Sequence, residues 1–152
     1  MYLAVLTVHS WLRWATLVMA IGATLNALRP MVAGSAKPPG RWWDSLFMLA
    51  VDLQMLAGLA LYFGLSPTTT LAMNNVGAAM RNPGMRFWAV EHAGAMFAAL
   101  VLVRVGRVLA MNARTPAASR RRRVTCFALA TLVMLVAIPW PGMANGRPLF
   151  RW

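Results

Sequence analysis

Four apolar runs long enough to cross a bilayer, at residues 2–28, 43–65, 86–110 and 124–140, leave this chain few ways to fold. An α-helix rises about 1.5 Å per residue, so about 20 residues span the hydrocarbon core. Backbone groups in lipid are satisfied only within helices or a closed barrel, and uninterrupted runs of this length are not barrel strands. The sequence therefore predicts an all-α integral membrane protein, one domain over residues 1–152, built as an up-down four-helix bundle. The first run is read as an uncleaved helix, because no positive charge precedes its apolar stretch and that stretch is too long for a signal peptide.

Composition narrows the function classes. Hydrophobic residues make up 60% of the chain and charged residues only 12%, with a mean hydropathy of +0.59. A soluble domain carries a charged surface about twice as dense, which excludes a free cytosolic enzyme. Cys126 is the single cysteine, so no disulfide framework exists. Fifteen Lys+Arg against three acids give a net charge of +12. These charges border the apolar runs instead of forming one basic face, so the expected partner is the lipid bilayer and not nucleic acid.

The same charges set an orientation. The first and third connections hold Arg29, Lys37, Arg41, Arg107, Arg114 and the run from Arg120 to Arg123, nine in all. The second connection and the tail hold four: Arg81, Arg86, Arg147 and Arg151. The positive-inside bias then predicts a bacterial inner-membrane protein with both termini periplasmic. The arginine run reads as a topology anchor at anionic lipid heads. Trp42, Trp43, Trp88, Trp140 and Tyr62 suit interfacial belts. The second connection, 66–85, is long for so small a chain and has the character of a functional or partner-contacting loop, its middle (71–80) able to form a short surface helix. The tail, 141–152, lies on the same periplasmic side.

Polar groups inside the spans are few: His9, Arg13, Asp52, Gln54, Glu91, His92 and Arg104. Each is costly in lipid and so a candidate for function. The chain's only two histidines lie at one level, roughly 10 Å and 9 Å below the periplasmic ends of the first and third helices. Those helices sit diagonally across an up-down bundle, the arrangement that can hold a haem iron from both sides. Gly58 and Ala57 on the second helix would give such a group room. Structural histidines, or another metal with Asp52 or Glu91 as a ligand, are the competing readings. Zinc has no Cys/His cluster here.

Arg13, one turn below His9 on the same face, needs a partner, and depth selects Asp52 near mid-membrane. A cofactor carboxylate such as a haem propionate is the other choice, with Arg13 or Arg86 placed for it. Arg104 reads as a snorkelling cation near a helix end. Glu91 is expected to pair with Arg86 or Arg81 at the interface. Its competing role is a proton relay beside a quinol site, its pKa raised by desolvation.

The runs HSWLRW (9–14), RFWAVEH (86–92), GR at Gly106–Arg107 and IPWP (138–141) followed by RPLFR resemble the small four-helix bacterial membrane proteins labelled "cytochrome B". The resemblance covers nearly the whole chain and marks His9, Arg13, Glu91 and His92 as signature positions. Such proteins often carry a histidine in the second helix where this chain has Asp52, so a three-histidine site is not implied here. The resemblance implies haem b and says nothing about an electron donor or acceptor. The preferred reading is a b-type cytochrome subunit with one bis-histidine haem b near the periplasmic face, transferring electrons within a larger energy-transducing complex, with a quinone or a periplasmic redox protein as partner. A haem-free accessory subunit of a respiratory or photosynthetic complex is the competing class. A small quinone-linked enzyme using Glu91 is the third.

Overall fold

A computed structural model describes residues 1–30 and 41–151; Lys37, which entered the charge argument, lies outside the described residues. The described chain is all-helical. Its long elements are α1 (Tyr2–Leu28), α2 (Arg41–Ala60), α6 (His92–Met111) and α7 (Pro116–Ala137). Between α2 and α6 the chain forms a π-helical turn (Leu61–Leu65), three short helices, α3 (Pro67–Asn74), α4 (Val76–Arg81) and α5 (Pro83–Arg86), and a second π-helical turn (Phe87–Glu91). Helix α1 packs against α2 and α7, and α6 packs against α7 and α2, so α1 and α6 stand diagonally opposite.

Among the described residues, three helical stretches are long and apolar enough to cross a membrane: Tyr2–Leu28, Arg41–Leu65 and Pro83–Met111. Their outward faces are apolar too, since Val18, Leu25, Leu49, Leu56, Phe97 and Val108 are all exposed. An apolar outer surface this extensive belongs in lipid. Helix α7 differs from the expected 124–140. It begins at Pro116, capped by Thr115 Oγ1 accepting from Ala118 N–H, and runs straight through the arginine run. It stops at Ala137, because Pro139 holds Ile138 in an extended conformation (φ −69°, ψ 130°). Its apolar part, Val124 to Ala137, is about 21 Å long, short of the roughly 30 Å core.

Small side chains let these helices close on one another. Ala20, Ala23 and Ala27 of α1, Ala99 of α6 and Ala130 of α7 are buried in one cluster with Phe47 and Phe127, whose rings meet edge to face at 5.5 Å. Gly106 sits beneath Cys126 so tightly that a Cβ there has no space, which fixes the α6–α7 separation. Trp43 lies across Gly22 of α1 and so is a packing residue more than a belt residue, whereas its stacked neighbour Trp42 is exposed.

Two ion-pair expectations are corrected here. Asp52 accepts from Arg104, not from Arg13. Val51, Gln54, Met55 and Gly58 share the inward face of α2 at helical spacing, and Asp52, about 100° round, points elsewhere. Arg104 is therefore a paired residue and not merely a snorkelling one. The arginine run is also more than an anchor. Arg123 is buried and donates to Asp44 at 2.7 Å, Arg107 donates to the same carboxylate at 3.3 Å, and Arg122 donates to the Leu109 carbonyl at 2.8 Å.

Candidate functional site: a cavity lined by both histidines

At the end of the bundle where α1 begins and α7 finishes, the four long helices part around a cavity of about 260 Å³. Two π-helical turns border it, and such turns widen a helix by one residue and recur at functional sites. Tyr62 in the first turn donates its hydroxyl to the Ala89 carbonyl in the second at 2.8 Å, tying the two together. The 66–85 connection, expected to hold one short helix, folds as three. Ser66, Asn75 and Asn82 each cap one of them, accepting from Thr69, Ala78 and Met85 N–H. Thr69 Oγ1 donates to the Tyr62 carbonyl at 2.8 Å, which holds α3 over the cavity.

His9 and His92 both line this cavity, from the two diagonal helices. His92 Nδ1 lies 2.9 Å from the Ala137 carbonyl. A carbonyl only accepts, so Nδ1 carries the proton and the neutral ring keeps its lone pair on Nε2, the tautomer of a metal-ligating histidine. His9 Nε2 lies 3.2 Å from Gln54 Nε2, while His9 Nδ1 is buried without a hydrogen-bond partner, as is Gln54 Oε1. A buried imidazole nitrogen left this way costs about 1–3 kcal/mol unless an occupant of the cavity satisfies it. Rotating the Gln54 amide by half a turn exchanges its donor and acceptor, makes His9 Nε2 the donor and leaves the lone pair on Nδ1. Gly58 faces the His9 ring, and a Cβ there would stand 3.3 Å from Cε1. Ala57, the other residue expected to give room, is not part of the lining.

Arg13 lines the same cavity, on the His9 face of α1 as the spacing predicted. Its Nη2 donates to the Leu149 carbonyl at 2.6 Å, and its Nε is buried without a partner. Leu149 belongs to the segment after α7, which sequence reasoning treated as a plain tail. Gly142, at φ +89°, turns the chain back, and residues 147–151 then lie along α1. Trp14 Nε1 donates to the Leu149 carbonyl and Trp11 Nε1 to the Arg151 carbonyl, each at 2.9 Å, with Phe150 against both indoles. This brings Arg147 and Arg151 to the cavity. Tryptophans on α1 facing a segment with arginines were the only hint in the sequence, and no periodic pattern announced the docking.

The remaining candidates lie outside. Arg86 Nε donates to Glu91 Oε1 at 2.7 Å in the expected interfacial pair, and both side chains are nearly half exposed. Neither lines the cavity, nor does Asp52. Gln54 does, as the partner of His9. Among the described residues no group of three or more His, Cys, Asp or Glu is placed to hold a metal ion. A two-histidine haem site needs no such group. No family model matches the chain, and no curated protein or solved structure does so either.

Proposed function

We propose that this chain is a b-type cytochrome-like subunit of the bacterial inner membrane, crossing it four times with both termini periplasmic, in which His9 and His92 hold one haem b. One observation carries the reading. The only two histidines of the chain line one cavity from diagonally opposite helices, and each has a ring nitrogen that no protein group occupies. Helix α7 is the fourth span despite its short apolar part. It packs along α1 and α6 and exposes Leu132 and Val136 outward, while arginines 120–122 reach the headgroups at one end.

The residues present fit the group. The Ala137 carbonyl orients His92, and Gln54 sets which nitrogen of His9 holds its proton. Arg13 faces the same space and is the candidate for a propionate; Arg86 is committed to Glu91. At about 260 Å³ the cavity lies just below the usual ligand-pocket range of about 300–1,000 Å³, so walls must yield to a macrocycle. Met55 and Met96 on those walls are the adaptable side chains. Bound there, haem supplies reversible one-electron transfer, with its potential set by burial and nearby charge. A single site near one face does not carry electrons across a bilayer, so the chain works beside a partner: a larger energy-transducing complex, a quinone or a periplasmic redox protein.

A haem-free accessory subunit is the second reading, favoured by the fact that each imidazole already hydrogen-bonds a neighbouring helix element. A reduced-minus-oxidised spectrum of the purified protein separates the two. The proposal expects a b-type α band that is lost in both His9→Ala and His92→Ala, with the helical circular dichroism retained. Absence of the band from haem-supplied protein, or its survival in both variants, refutes haem ligation.

A further inference from the structure

We infer that the cavity takes an anionic amphiphile, its carboxylate held by Arg13, Arg147 and Arg151 and its apolar body lying between the long helices. All three arginines line the cavity. The chain has only three acidic side chains, and each is committed elsewhere: Asp44 to Arg107 and Arg123, Asp52 to Arg104, Glu91 to Arg86. No Asp or Glu side chain therefore remains to neutralise the three guanidinium groups. Arg13 meets only a neutral carbonyl, that of Leu149, and its buried Nε has no partner. Arg147 is exposed and Arg13 and Arg151 are partly buried, so three like charges gather at the mouth of the cavity, where an entering carboxylate would be attracted by all three.

The guanidinium groups are also held ready. Arg13 lies over the Trp14 ring, 5.1 Å from its centroid, and Arg147 over Trp88 at 5.0 Å. Stacking fixes the plane and leaves the edge N–H groups to bind a carboxylate. The rest of the lining is largely apolar, with Leu6, Leu17, Met55, Met96 and Met134. A charged head with an apolar body matches both parts. The inference holds for either of two bodies, a porphyrin with its propionates or a long-chain fatty acid, and it extends the proposed haem site only in the first case.

The test compares acids with their esters on the intact chain in phosphatidylcholine nanodiscs. In one arm hemin and hemin dimethyl ester are titrated against the Soret band. In the other a photoactivatable long-chain fatty acid and its methyl ester are crosslinked, and labelled peptides are read by mass spectrometry. We expect the acid to exceed its ester about tenfold or more in at least one arm, as charge-assisted hydrogen bonds of this kind imply. In the fatty-acid arm the label must fall on cavity-wall residues such as Met55 or Met96, and not only on outward-facing ones such as Phe97. The triple change R13Q/R147Q/R151Q should abolish the preference, and R13K/R147K/R151K should keep most of it, which separates lost charge from lost folding. A preference in the hemin arm assigns the head to propionates; one in the fatty-acid arm alone assigns it to a lipid, while the spectrum above independently decides haem ligation. Equal acid and ester signals in both arms, including no binding in either, overturn the inference.

Discussion

The two ends of this bundle solve the problem of arginine in a membrane protein in opposite ways. At one end Arg123 and Arg107 converge on Asp44, which is 1% exposed, and the helices close over the cluster. At the other end Arg13, Arg147 and Arg151 converge on open space, with no acidic side chain to meet them. The first arrangement is complete within the chain. The second is unfinished, and the same end holds both histidines. A small protein with three acids places two of them on the outside of its helices or at the interface, and one at the closed end; none goes to the cavity. The proposed anionic ligand would supply the counter-charge that this end lacks.

If the closed end is structural, Asp44→Asn is the most damaging change in the chain. It leaves two arginines around one uncharged partner, at a cost of about 3–5 kcal/mol, to be read as a fall in thermal or SDS-induced unfolding stability in detergent. A loss no larger than that of Arg13→Gln would erase the contrast between the ends. Next in size, Gly106→Val forces a side chain into Cys126 and should cost about 1–3 kcal/mol in the same assay. Gly94→Val, on the same helix with nothing within 4 Å of its Cβ position, is the control and should cost clearly less.

Arg13→Gln removes one charged hydrogen bond and should cost about 1.5 kcal/mol. Its sharper signature is local: chymotryptic cleavage after Leu149 or Phe150 should accelerate as that segment loosens from α1, while α2 and α6 stay protected. Unchanged cleavage would mean that Trp11 and Trp14 hold the segment without the arginine. The smallest effect concerns Arg104 and Asp52, an ion pair on the outer side of the bundle. A double-mutant cycle should give a coupling of about 0.6–1.7 kcal/mol, the range of polar pairs inside a membrane. The corresponding Arg13–Asp52 cycle should give none, and a measurable coupling there would restore the pairing that depth alone suggested.

That last pair shows what a linear reading captures. Counting residues from a membrane face gives depth, and depth brought His9 and His92 to one cavity and Glu91 to Arg86. Depth says nothing about azimuth. Asp52 and Arg13 lie at neighbouring levels but on faces that do not meet. Helical phase relative to Gln54 and Gly58 carried the missing information, because residues 51, 54, 55 and 58 form one stripe that omits 52. Asp44 escaped notice for a different reason. It stands one turn inside α2, where an acid reads as an ordinary N-terminal residue, and only tertiary packing brings Arg123 from 79 residues away. Likewise the arginine run looked uniform in sequence, yet helical rotation sends Arg123 inward while Arg120 and Arg121 face out. The docking of residues 147–151 had no local signal, since it depends on one glycine turn and on indoles placed some 135–140 residues earlier.

The fastening of residues 147–151 to α1 also orders events during synthesis. The first helix leaves the ribosome long before Leu149, and the carbonyl that meets Arg13 is made 136 residues after it. Until it arrives, the chamber is a cleft without its third wall. Whatever the chamber holds can therefore enter from the open side before residues 147–151 dock on α1. A bulky fusion placed immediately after Arg151 would keep that door ajar.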